Sequence, residues 1–335
     1  GNDRKHAHNI IDGYPESDFV NVFRGPTPFS AGPACALSIG NFDGVHRGHR
    51  ALLNQLVAGA HERGLVSCVL TFEPHPKEFF SPEQAPPRIL NLRDKLAALA
   101  KLGIDRVVVE HFNSAFARLS PEEFVSEIIV KRLNTKWILI GDDFCYGAKR
   151  AGNFASLKAA GEKYGFEVSS IQTILEDGER ISSSALRTAL ANGDMKQAEK
   201  LLGRPYGISG HVIHGQQLGR QLGFPTLNLA VANHLHHRKP ATTGIFTAQV
   251  LGLGDKPLPG VASLGVRPTV EDKGRVLLET HIFDYQQDVY GKIITVELLE
   301  KIRDEEKYDD LDTLTHAIAQ DAKQARNYFQ KKSYV

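Results

Sequence analysis

Short apolar runs alternating with longer amphipathic ones through the first half of the chain constrain this fold more than any other feature. "CALSIG" (35–40), "LVSCVLTF" (65–72), "DRVVVEHF" (105–112), "KWILIG" (136–141) and "FEVSSIQTI" (166–174) are compact and strand-like. Between them lie "HRALLNQLVAGAHERG", "LRDKLAALAKLG", "SPEEFVSEIIVKRL" and "FASLKAAGEKYG", whose apolar residues recur at helical spacing. The third opens on a strong start signal, with Ser120 as N-cap, Pro121 at the first position and Glu122 and Glu123 in the first turn. Strand and helix exchanging places in this way predict a doubly wound, Rossmann-like parallel sheet.

After about residue 204 the rhythm changes. "YGISGHVIHG", "GIFTAQVLGL", "GVASLGV", "LLETHIFDY" and "KIITVELLEKI" are strand-like and separated by Gly/Pro turns, with almost no helical pattern between them. This half predicts a small antiparallel β-barrel or sandwich. In the tail "LDTLTHAIAQDAKQARNYF", Leu314, Ile318, Ala322, Ala325 and Phe329 form one helical stripe, so a terminal α-helix packs on that barrel. The helical stretch 183–203 bridges the halves. The expected division is a flexible polar tail over 1–20, an α/β domain over 21–203 and a barrel domain over 204–335.

With 335 residues, 41% of them hydrophobic, the chain has material for two cores. A net charge of +1 argues against a nucleic-acid partner, and no apolar run approaches the ~20 residues of a membrane span. Cys35, Cys68 and Cys145 are far apart and match no zinc spacing, which suggests free thiols in a reducing, cytoplasmic setting. A monomer or a weak homo-oligomer is expected. His234, His236 and His237 read as solvated loop residues without a role.

Two stretches carry chemistry. In "SIGNFDGVHRGHRALL" (38–53), a strand runs through a glycine-studded turn into a helix. Ligands of open α/β sheets bind at such turns, and the free N–H groups of a helix start favour phosphate. His46 and His49, at i and i+3, share a face, and Gly48 leaves room for a nucleotide's approach. Imidazoles donating there suit attack on an α-phosphate, where positioning and charge neutralisation do most of the catalysis. An isolated H-x-x-H pair is also compatible with surface decoration; a zinc site lacks a third ligand at sensible spacing.

The second stretch is "GHVIHGQQLGRQLGFPTLNL" (210–229). It has neither the order of a P-loop nor a parallel-sheet context. Gly215, Gly219 and Gly223 allow a loop to fold around a polyanion, and Pro225 stiffens the approach to Thr226 and Asn228. Those two alternate on an extended segment, so their oxygens share a face and suit Mg²⁺ bound with substrate phosphates. A plain hairpin with glycine turns reads equally well. Glu279 interrupts an apolar strand, sharing a face with His281 and Phe283, and a carboxylate there is costly unless it has work or a partner. An outward-facing residue on an alternating strand is the other reading.

"NFDGVHRGH" resembles the H-x-G-H signature of nucleotidylyltransferases. From about residue 21 to the terminal helix, the chain resembles the bifunctional prokaryotic riboflavin kinase/FAD synthetase family. "TFEPHP" (71–76), "GDDFCYGAKRAG" (141–152), "ISSSALR" (181–187) and a nearly complete G-x-x-x-G-R-x-L-G-F-P-T-x-N motif follow in the family's order. The resemblance implies a nucleotidylyltransferase domain followed by a kinase barrel, making FMN from riboflavin and then FAD from FMN, each at the expense of ATP. His46, His49 and Arg187 would serve adenylyl transfer. Gly40, Asn41, Asp43, Gly44, Gly48, Ser183 and Ser184 would bind one ATP, Ser183, Ser184 and Arg187 closing over its phosphates. His75, Asp143, Phe144 and Arg267 would meet the flavin. Gly215, Gly219, Arg220, Gly223 and Pro225 would surround MgATP, Thr226 and Asn228 would hold the metal, and Glu279 would take the proton of the ribityl 5′-hydroxyl. Ser184 stands where the family commonly has threonine, and the hydroxyl is retained. From the residues alone, Pro74-His75-Pro76 also reads as a rigid strand exit, Asp143 as a turn residue and Ser182–Ser184 as a helix cap. The rival readings are a monofunctional nucleotidylyltransferase with a regulatory or flavin-binding barrel, and a non-catalytic binding module.

Overall fold

The computed structural model describes residues 21–24, 32–171, 175–176, 178–215, 218–231, 239–267 and 275–333. The tail 1–20 and His234, His236 and His237 lie outside these residues. The chain forms two compact units, one holding residues up to Pro86 together with Lys95–Ile181, the other holding Pro87–Asp94 and the chain from Ser182 onward.

In the first unit, β1 (Asn21–Arg24), β2 (Cys35–Ile39), β3 (Val66–Glu73), β4 (Arg106–His111), β5 (Thr135–Gly141) and β6 (Glu167–Ile171) form a six-stranded sheet in the order β1-β4-β3-β2-β5-β6. Every pairing in it is parallel. All of β2 is buried, as the unbroken run "CALSI" requires of a central strand covered on both faces. A small hairpin, β7 (Leu175–Glu176) with β8 (Glu179–Arg180), follows the sheet. The helices are α1 (Arg47–Glu62), α2 (Pro76–Phe80), α3 (Leu92–Lys101), α4 (Ser114–Ala117), α5 (Pro121–Glu123) and α6 (Phe154–Tyr164). Ser120 and Glu123 close the expected capping box on α5, but the helix then widens into a π-helix over Phe124–Arg132. Phe124, Val125, Ile128 and Ile129 of this stretch are buried in the core.

The sheet order sets where the chemistry goes. From β2 the chain moves to β3 on one side, while β5 flanks β2 on the other. Ligands of such sheets bind beyond the carboxyl ends of the strands at this reversal. β2 ends in the histidine turn and β5 ends in "GDDF".

In the second unit the expected helical bridge is two helices, α7 (Ser183–Ala191) and α8 (Met195–Leu202), parted at Gly193, whose φ of 71° is left-handed. α8 packs on the barrel strands β9 (Tyr206–Ile213) and β14 (Ile293–Arg303). Between these in sequence come α9 (Leu218–Gln221), β10 (Leu227–Ala230), β11 (Gly244–Leu251), β12 (Leu258–Arg267) and β13 (Arg275–Ile282). The strands close in the order β10-β13-β12-β11-β14-β9, all antiparallel, which is the barrel alternative. Along β13, Val276, Leu278, Thr280 and Ile282 are buried inside, so Glu279 and His281 face outward. The terminal helix α10 (Leu311–Lys332) sets Ala322, Ala325 and Phe329 against Ile245, Val261 and Phe283.

Candidate active sites

At the first site the backbone is bent hard. Phe42, Gly44 and Val45 have φ of 47°, 94° and 42°. Left-handed φ is unfavourable for a β-branched residue, and strain of about 1–3 kcal/mol per residue persists only where the surroundings enforce it. Here they do, since Phe42, Asp43, Val45 and His46 are all buried. His46 is the N-cap of α1, and its Nδ1 accepts the His49 backbone N–H at 3.2 Å. That bond leaves the His46 ring proton on Nε2. The two imidazoles stack with centroids 3.6 Å apart and planes at 15°, and Phe42 meets the edge of His49 at 5.3 Å. Gly48 also lies close under its neighbour: a Cβ there would lie 3.0 Å from the His46 ring. Gly40 lies against the Phe42 ring.

Asn41 is held by its backbone. Its carbonyl accepts from Thr71 Oγ1 at 3.2 Å and from Lys95 Nζ at 3.0 Å, while its side-chain oxygen is buried without a hydrogen-bond partner. Lys95 Nζ also lies 3.1 Å from Thr71 Oγ1 and 3.5 Å from His75 Nε2. His75, the N-cap of α2, is itself buried, and its N–H donates to Glu78 Oε1 at 2.8 Å. Lys95, Thr71 and Glu78 are thus additions to the expected set. The available signal was a lysine inside the apolar stripe of "LRDKLAALAKLG". At the end of β5, Asp143 is exposed and ion-pairs with Arg180 at 3.4 Å, and Phe144 stacks on Tyr146 at 5.7 Å. Burial raises the Tyr146 phenol above its ordinary range.

The second site lies on the outer face of the barrel. Asn228 on β10 is directly opposite Glu279 on β13, which is directly opposite Ser263 on β12. Side chains paired this way share a face and touch. Asn228 is buried, because the preceding loop lies on it: a Cβ at Gly215 would overlap its amide. Gly219 is likewise closed off by the Phe224 carbonyl and by Thr226, Gly223 turns the chain at φ 86°, and Arg220 and Pro225 are exposed. His281 anchors the loop, donating from Nδ1 to the Pro225 carbonyl at 2.8 Å, and its ring packs edge-on to Phe224. Ser263 in turn donates to Glu305 Oε1 at 3.1 Å. Neither His281 nor Glu305 was singled out as functional in the sequence.

The remaining expected residues stand as follows. Ser182 caps α7 through the Ala185 N–H, so Ser183 and Ser184 open that helix, and Arg187 Nε donates to the Pro87 carbonyl at 2.8 Å. Arg267 pairs with Arg275 in the ladder, and residues 268–274 between them lie outside the described residues. Among the described residues no cluster of three or more His, Cys, Asp or Glu side chains could hold a metal ion. Asn228 and Glu279 nevertheless offer amide and carboxylate oxygens on one face, with the Thr226 hydroxyl two residues before Asn228 in the chain, the donor chemistry of a cation shared with phosphates.

Comparison with known proteins gives the same two-part division. A family model described as FAD synthetase matches residues 30–185, and one described as riboflavin kinase matches residues 202–329. The chain is 46% identical over 312 residues to a bifunctional riboflavin kinase/FMN adenylyltransferase of Escherichia coli (strain K12), covering 92% of this chain and 98% of that one. It is 43% identical over 295 residues to the Haemophilus influenzae protein of the same name, covering 88% and 94%. Among solved structures, a Streptococcus pneumoniae protein named for macrolide efflux superposes with a TM-score of 0.75 at 29% identity, covering 91% of this chain and 99% of that one. No described helix here is long and apolar enough to cross a membrane.

Proposed function

The chain belongs to the bifunctional riboflavin kinase/FMN adenylyltransferase family, and from that membership we propose how its residues divide the work. The C-terminal part transfers the γ-phosphoryl group of ATP to riboflavin, giving FMN and ADP. The N-terminal part joins FMN to the adenylyl group of a second ATP, giving FAD and pyrophosphate. By function we divide the chain at residues 203 and 204.

In adenylyl transfer the FMN phosphate oxygen attacks the α-phosphorus while the bond to pyrophosphate breaks. The N–H groups opening α1, with His46 Nε2–H and His49, stabilise the negative charge that develops on the phosphates. Gly40, Asn41, Asp43, Gly44 and Gly48 form the bed of that nucleotide, and the orphaned Asn41 side-chain oxygen supports a polar ligand there. His75, Asp143, Phe144 and Arg267 serve the flavin. Ser183, Ser184 and Arg187 are assigned to ATP on their motif.

In the kinase step, Glu279 accepts the proton of the ribityl 5′-hydroxyl as its oxygen attacks the γ-phosphorus. Thr226 and Asn228 would hold Mg²⁺, which would supply positive charge to neutralise the phosphates. Gly215, Gly219, Arg220, Gly223 and Pro225 wrap MgATP. The observation that supports this reading is the cross-strand pairing of Asn228 with Glu279, which puts an amide oxygen beside a carboxylate. Free Cys35, Cys68 and Cys145 support a cytoplasmic location. A monomer or weak homo-oligomer without a nucleic-acid partner is the state we propose.

The test is incubation with riboflavin and MgATP, the flavins then being separated by chromatography. Replacing His46 and His49 by Ala should abolish FAD formation from FMN and leave FMN formation measurable. Glu279→Ala should do the reverse. Loss of both activities in either folded variant would refute the assignment.

A further inference from the structure

Lys95 is 1% exposed and is among the largest of the fully buried side chains described. It occupies a core position of α3, in line with buried Leu96 and Leu99. An ammonium there is costly to bury, and a leucine or methionine would fill similar space without that penalty. Its retention therefore asks what the charge holds.

It holds two strand exits together. Nζ donates to the Asn41 carbonyl at 3.0 Å and to Thr71 Oγ1 at 3.1 Å, and lies 3.5 Å from His75 Nε2. Thr71 passes the connection on, donating to the same Asn41 carbonyl. Asn41 immediately precedes the strained segment Phe42–Val45 that delivers His46. His75 immediately follows the exit of β3 and Pro74. An ammonium has no lone pair, so in the contact with His75 the imidazole Nε2 accepts. The His75 ring proton is then on Nδ1, which faces Glu78 Oε1 at 4.0 Å. One cation thereby fixes the start of the histidine turn and both the rotation and the tautomer of the neighbouring imidazole.

We infer that Lys95 is a positioning residue for adenylyl transfer, clamping the Asn41 end of the phosphate-facing turn to the His75 ring. The inference rests on assigning that turn to adenylyl transfer. It predicts an effect on rate more than on affinity, because a displacement of reacting groups by an ångström costs about a hundredfold in turnover.

The experiment compares Lys95→Met, Lys95→Gln and His46→Ala in the full chain, with riboflavin kinase activity as the measure of correct folding. For Lys95→Met, kcat for FAD formation from FMN should fall about a hundredfold, with KM for ATP changing much less. Lys95→Gln keeps two N–H donors without the charge, should fall short of the wild-type kcat, and carries the test if the Met variant does not fold. A purely structural lysine would lower the melting temperature and leave kcat per folded molecule unchanged, and that result overturns the inference. So does a rise in KM for ATP with kcat unaltered, which would mean simple attraction of the nucleotide. If His46→Ala is inactive while a folded Lys95 variant keeps the wild-type kcat, this inference alone fails. If His46→Ala keeps its activity, the assignment of the turn fails and takes the inference with it.

Discussion

A methyl group at residue 48 would lie 3.0 Å from Cε1 and 3.1 Å from Nδ1 of His46, and 3.4 Å from the Ile181 carbonyl oxygen. The imidazole is the only one of these neighbours with a side-chain torsion to yield, and yielding would break the bond its Nδ1 accepts from His49. Gly48→Ala should therefore reduce kcat/KM for FAD formation from FMN by up to about tenfold, because the ring need yield only a few tenths of an ångström and a full ångström costs about a hundredfold. Riboflavin phosphorylation should be unaffected, and steady-state kinetics on both half-reactions checks the split. Equal losses in both would show a general folding defect. The sequence marked Gly48 as a close-approach position but attributed the space to the nucleotide. Spacing along a helix says which residues share a face, and it does not say that an N-cap imidazole folds back over the first turn. Lys95 was missed for a related reason. A lysine in an amphipathic helix is ordinarily read as a solvated edge, and only the packed structure shows its ammonium buried against Asn41 and Thr71.

Among the secondary elements, α10 was legible as a stripe of Leu314, Ile318, Ala322, Ala325 and Phe329, and Ala322, Ala325 and Phe329 do pack on the barrel. Hydropathy could not reveal that the same face carries Asp321, 5% exposed. Its carboxylate takes two hydrogen bonds from Arg303 at the end of β14, from Nε at 2.9 Å and from an Nη at 2.8 Å. The bond to Asp321 raises the Arg303 guanidinium still further above its already high range. Removing one member of such a pair leaves the other charge partly buried and uncompensated. Asp321→Ala should accordingly cost about 2–3 kcal/mol, discounted from the fully buried case because Arg303 is partly exposed. Chemical denaturation reads it, and a loss below about 0.5 kcal/mol would show the pair to behave like a surface salt bridge. Five of the six strands of the parallel sheet were legible because they are short apolar runs; β1, the four residues Asn21–Arg24 with a polar residue at each end, was not. The π-helical stretch after Glu123 was not, because its apolar residues fit a helical period whichever turn width the core selects.

For the molecule as a whole, the change of rhythm near residue 204 told of two fold classes, and the structure has a parallel sheet and a closed barrel. The apolar cluster that includes Leu37, Leu70, Val108 and Ile138 belongs to the first unit, and the barrel residues Ile245, Val261 and Phe283 with α10 belong to the second. Each unit thus carries apolar packing of its own; the histidine pair stands in the first unit, and Asn228 with Glu279 stands in the second. A defect in one set should then leave the other working in the same chain. Neither His46→Ala nor Glu279→Ala should make FAD from riboflavin by itself. Mixed in equal amounts they should do so, because FMN released by the first variant can be taken up by the second. Such transfer through solvent makes a specific kinetic demand: FMN must accumulate before FAD, and the lag must shorten as the concentration of the Glu279→Ala variant rises. Chromatographic time courses at several mixing ratios measure both. A mixture that makes no FAD, although the first variant still phosphorylates riboflavin and the second still adenylylates added FMN, would show that FMN does not leave the chain that makes it.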